Sequence, residues 1–97
     1  MEIEFNYLYR DYANYKNHNC VIFSNKENIP VEDIATAIQN KLIDGVWFYA
    51  NKWNVPDLHF EKWDEEIDHN YHEFGSVQNT TDAPTDARDI KEFLQHL

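Results

Sequence analysis

The chain has 97 residues with 18 acids against 8 bases, and its formal net charge of −10 argues against polymeric DNA or RNA as a partner, because such binding rests on neutralising phosphates. Its length allows one domain, residues 1–97, burying roughly two-thirds of the unfolded surface, and a content of 42% hydrophobic and 15% aromatic residues can fill that core. A single cysteine excludes an internal disulfide, no window reaches the ~18 apolar residues of a membrane span, and MEIEFNYLYR lacks the basic flank and apolar run of a signal peptide, so a soluble cytoplasmic protein is expected.

EIEFNYLY alternates, with Ile3, Phe5, Tyr7 and Tyr9 on one face and Glu2, Glu4, Asn6 and Leu8 on the other, the period of a half-buried antiparallel strand. RDYANYKN carries turn-forming asparagines and an aspartate and predicts the loop of a hairpin. HNCVIFSN predicts the second strand, with Val21 and Phe23 on one face and Cys20 as a small buried hydrophobe. VEDIATAIQNKLIDG turns helical. Ile34, Ile38 and Leu42 recur every four residues, widened by Val31, Ala35 and Ile43. Pro30 suits the helix entry, Glu32 and Asp33 its positive end, and Gly45 its exit.

VWFYA predicts a short buried strand, and Pro56 bars a central strand or helix interior in NKWNVPDLHFEKW. EKWDEEID predicts an acidic loop or short helical turn. HNYHEFGSVQN predicts a fourth strand with a weak or bulged point at Gly75. Thr85 or Asp86 can cap the last helix, with Asp89 in its first turn and Ile90, Phe93, Leu94 and Leu97 as its apolar stripe. The expected order is ββαββα, an antiparallel sheet with two helices on one face, which is a two-layer α+β sandwich.

Three constellations could carry chemistry. In YRDYANYK, Arg10 offers a planar fork for a phosphate or carboxylate and Lys16 a point charge, while Tyr9, Tyr12 and Tyr15 offer flat faces with polar tips. A base stacked on such a ring gains ~1–3 kcal/mol, comparable to a charged hydrogen bond, so cation and ring together suit a nucleotide. The plain alternative is a hairpin whose tyrosines pack on the sheet edge while Arg10 pairs with Asp11. In DHNYHEF, His69 and His72 would share a face on a helix and could hold zinc, whereas a strand sends them to opposite faces. The strand assignment therefore leaves the metal set empty. Trp47, Phe48, Tyr49, Trp53, Phe60, Trp63 and Tyr71 supply core, yet one strand cannot bury Trp47, Phe48 and Tyr49 on a single face. A subunit interface or a pocket is expected to take the remainder. No Gly-rich phosphate loop, GxSxG, CxxC or HExxH occurs, and no nucleophile–base–orienter set is evident. A non-enzymatic protein without a cofactor is expected.

YRDYANYK, VIFSN, LIDGVWFYA, DHNYHEFGSV and PTDARDIKEFL together resemble a family of small bacterial and phage proteins, and the resemblance runs over nearly the whole chain. That family is also similar to phage proteins that sequester cyclic oligonucleotide signals and so blunt the bacterial CBASS defence. The resemblance implies a homo-oligomer that sequesters a cyclic dinucleotide. Arg10 and Lys16 would hold phosphates, Tyr9, Tyr12 or Trp47 would stack on bases, and His72 or Glu73 would read ribose or base edges. The ligand-binding set is thus Tyr9, Arg10, Tyr12, Asn14, Tyr15, Lys16, Trp47, His72 and Glu73. Two rival functions are an acidic interaction or inhibitor protein docking through the stretch from Asp57 to Asp68, and a histidine-centred metal-binding protein.

Overall fold

The computed structural model describes residues 1–60 and 69–97. The period-two stretch forms β1 (Glu2–Arg10), in which Ile3, Phe5, Tyr7 and Tyr9 are each 1% exposed or less. It pairs antiparallel with β2 (Lys16–Phe23), running in register from Ile3 opposite Phe23 to Arg10 opposite Lys16. The turn between them is closed by Asp11, whose carboxylate accepts the amides of Ala13 and Tyr15 at 3.0 and 2.9 Å. Asn14 takes the left-handed conformation there (φ 68°), which asparagine tolerates better than most side chains.

α1 (Val31–Gln39) starts at Pro30, carries Glu32 and Asp33 in its first turn and buries Ile34 and Ile38. It ends earlier than the periodicity suggests. Gly45 does not serve as its exit. Asp44 and Gly45 both have positive φ (52° and 70°), and the Val46 amide donates to the Ile43 carbonyl at 3.0 Å across them, as a type I′ turn requires, with Ile43 and Trp47 bridged just beyond. That turn leads into β3 (Trp47–Phe48) and a single helical turn, α2 (Ala50–Trp53). After β4 (His72–Thr80) comes α3 (Ile90–His96).

Among the described residues the element order is ββαβαβα rather than ββαββα, with three helices in an α+β fold and a four-stranded antiparallel sheet ordered β2-β1-β4-β3. The additional helix follows from a tertiary contact. Arg88 donates to the carbonyls of Trp53 and Asn54 at 3.1 and 2.8 Å, satisfying the C-terminal end of α2. Its guanidinium also lies over the rings of Phe23 and Phe93 and pairs with Asp86 at 2.9 Å, which holds the Asp86 carboxyl below the usual carboxylate range.

The α3 cap is Asp89, in a reciprocal capping box with Glu92. Thr85 instead accepts the Ile22 amide at 2.9 Å and ties the preceding loop to β2. Asp89 also accepts from Ser24 Oγ and the Lys26 amide, both at 2.9 Å. Burial alone would raise its pKa, but these hydrogen bonds and the one from Lys91 together hold it below normal. Phe5 anchors the core against Phe48, Trp53, Phe74 and Phe93, with Ile34, Ile38 and Ile90 closing the same cluster. No helix among the described residues is long and apolar enough to cross a membrane.

Candidate functional site

Strand register decides which side chains share a surface. The odd-numbered residues of β1 fill the core, so Asn6, Leu8 and Arg10 project from the opposite face. That face is open, since His18, Cys20, Gly75, Ser76 and Gln78 on the flanking strands are exposed. Cys20 stands opposite Asn6 in the ladder, and its outward parity explains why the thiol is exposed rather than buried as expected.

The β1–β4 register slips between Asn6 and Tyr7, leaving Gly75 as the extra residue of a bulge. This fulfils the expectation of an irregular point at Gly75. A side chain there would meet the Asn6 carbonyl oxygen, 3.0 Å from an ideal Cβ, so glycine suits the close approach of the two backbones. The bulge keeps Phe74 and His72 facing the core and turns Glu73 outward. It also leaves a groove of about 350 Å³, lined by Asn6, Leu8, His18, Asn19, Cys20 and Gly75.

Beside the groove, ladder partners align His18, Leu8, Glu73 and Trp47 across all four strands, with Arg10 opposite Lys16 one step further. Four of the expected binding residues, Arg10, Lys16, Trp47 and Glu73, therefore share one face. Arg10 Nε donates to Glu73 Oε2 at 3.0 Å, and Arg10 Nη1 donates to Asn14 Oδ1. Arg10 thus pairs with Glu73, not Asp11. No ion pair engages Lys16 among the described residues. Tyr12 and Tyr15 project from the hairpin tip, 66% and 70% exposed. Trp47 is half-buried against Tyr71.

Tyr9 and His72 belong to the other side of the sheet, which corrects their expected place among outward-facing binding groups. Tyr9 is enclosed, its hydroxyl donates to the His69 carbonyl at 2.8 Å, and the rings of His59, His69 and His72 pack around it. Its aromatic faces are occupied by the protein itself. Tyr7 is likewise internal. Its hydroxyl donates to the Pro56 carbonyl at 2.7 Å, and burial pushes its pKa up to about 12. His69 precedes β4 rather than lying within it, so the expected opposition of His69 and His72 across a strand does not arise.

His72 is 1% exposed, and its Nε2 accepts the Leu58 amide at 3.0 Å. That bond places the ring proton on Nδ1, which has no hydrogen-bond partner among the described residues. Burial, reinforced by His59, lowers the His72 pKa to about 4 against an opposing pull from Asp57. His59 Nδ1 lies 2.7 Å from Asp57 Oδ1, and His72 Nε2 lies 3.5 Å from the same oxygen. These three residues border a second cavity of about 210 Å³, together with Ala50, Asn51 and Asn70.

The sequence reading missed Asn6, Leu8 and His18 in the groove, although the alternation that buried Ile3 and Phe5 already assigned Asn6 and Leu8 to the opposite face. It assigns Asp57 to the acidic docking stretch and does not pair it with His59. Most of the proposed acidic docking stretch, residues 61–68 with Trp63 and Asp68, lies outside the described residues. Comparison of the chain with protein-family models, with curated proteins and with solved structures finds no match in any of the three.

Proposed function

We propose that this protein is a non-catalytic binding protein that captures a nucleotide-type small molecule on the open face of its sheet. The observation supporting this most directly is the groove over Leu8 and Gly75, which adjoins the facing cations Arg10 and Lys16. A flat base fits the apolar floor, and a phosphate fits the cations. An incoming phosphate exchanges with Glu73 for the Arg10 guanidinium, so Glu73 orients Arg10 beforehand. The exposed Tyr12 and Tyr15 add stacking surface at the hairpin tip.

Read with the resemblance to phage proteins that sequester cyclic oligonucleotides, the ligand is a cyclic dinucleotide and the consequence is a lower free concentration of an immune signal in the bacterial cytoplasm. The mechanism is mass action, with no bond broken. Two copies meeting at this face would double the cations around one ligand, which offsets the acidic balance of the chain.

The test incubates the protein with cyclic di- and trinucleotides, measures depletion of free ligand and assays for intact ligand after heat release. Arg10→Ala and Lys16→Ala each remove a charged contact of about 1.5–3 kcal/mol, so each weakens affinity by about tenfold to 150-fold. Absence of depletion across the panel, or unchanged affinity in both variants by calorimetry, refutes the assignment.

A further inference from the structure

On the opposite side of the sheet from the groove, we propose that Asp57, His59 and His72 form a binding site for a divalent transition metal ion of the zinc class. The three donate atoms of the kinds such ions prefer, two imidazole nitrogens and a carboxylate oxygen. These atoms lie within 4.8 Å of one another. Around a tetrahedral zinc with bonds near 2.0–2.1 Å, neighbouring donors stand about 3.4 Å apart. The His72–Asp57 separation of 3.5 Å already matches that spacing, and the His59–Asp57 separation of 2.7 Å must open by less than the width of an atom.

The site is built into the fold rather than scattered on a surface. His72 sits on β4, buried and fixed in orientation by the strand and by the Leu58 amide. That amide enforces the tautomer with a lone pair on Nε2, which is the tautomer that coordination through Nε2 requires. Nδ1 keeps the ring proton on coordination and has no hydrogen-bond partner among the described residues. Asp57, on the loop after α2, has a side chain 60% exposed and opens the site to solvent, while the His59 side chain is 17% exposed.

The adjoining cavity, also bordered by Asn51 and Asn70, leaves room for water or a further ligand in the remaining coordination positions. Binding takes the lone pair that Leu58 now uses, and coordination through His59 Nδ1 moves that ring's proton to Nε2. Metal uptake therefore re-seats the segment from Asp57 to His59.

The experiment uses untagged full-length protein stripped with a chelator, then titrated with zinc by calorimetry and with cobalt by visible absorption. One equivalent of zinc is expected to bind, with cobalt bands characteristic of low coordination number and a rise in thermal midpoint. Asp57→Asn and His59→Gln alter the more accessible ligands and leave buried His72 in place. Each is expected to weaken metal affinity at least about tenfold, with an unchanged far-ultraviolet circular dichroism spectrum. His18→Gln, on the other face of the sheet, is expected to bind as the unaltered protein does. No zinc binding by the unaltered protein, or equal affinity in Asp57→Asn and His59→Gln, overturns the proposal. Neither result bears on nucleotide capture at the groove.

Discussion

Lowering the pH from 7 to 4.5 in the presence of a chelator tests the environment of His72. The ring is buried among Tyr7, Tyr9 and Phe48 with Nε2 facing the Leu58 N–H. A second proton on the ring would set donor against donor and place a charge in an apolar surround. The unfolded chain takes up this proton below its ordinary pKa of 6.5, whereas the folded protein resists until about 4. The unfolded state therefore binds more protons in that window, and stability falls as pH falls through it. The loss is complete near the lower value and amounts to about 3 kcal/mol at 1.36 kcal/mol per pH unit.

With a urea slope of about 1–2 kcal/mol per molar, the unfolding midpoint drops by about 1.5–3 M across the full window. Carboxylates titrate in part of the same range, so the informative quantity is the difference between the unaltered protein and His72→Gln, each measured by urea unfolding at several pH values. His72→Gln is expected to be less stable at pH 7 and to have a flatter pH profile between 6.5 and 4.5. Profiles with the same slope refute the assignment of this proton linkage to His72.

Two further outcomes follow from the contacts. Asp89→Ala removes the α3 capping box and leaves the Lys26 amide without its acceptor, for a cost of about 2–4 kcal/mol in chemical denaturation; a loss below about 1 kcal/mol would show that the link between β2 and α3 is weak. Gly75→Ala forces a methyl group against the Asn6 carbonyl, for about 1–2 kcal/mol and a fall in Tm of at least about 4 °C by circular dichroism, and an unchanged Tm contradicts the close approach at the bulge.

The parity of β1 was legible from its residues because alternation is a local property of an extended backbone. Burial of Ile3, Phe5, Tyr7 and Tyr9 follows once one face is covered. The apolar stripe of α1 and the interruption at Gly75 were legible for the same kind of reason, as period and absent side chain need no distant partner. The Asp44–Gly45 turn carried a local signal that was masked by extending the helical period through Leu42 and Ile43.

Other features had no local cause. α2 is a single turn completed by Arg88, 34 and 35 residues beyond its carbonyl acceptors. Arg10 meets Glu73 across 63 residues rather than its neighbour Asp11, and the rings packed around Tyr9 come from His59, His69 and His72, far along the chain. His72 acquires its tautomer from Leu58 only because β4 and the loop after α2 are brought together. A chain can encode its own periodicities residue by residue, but shared faces and hydrogen-bond partners depend on strand order and register, which exist only once distant segments pair.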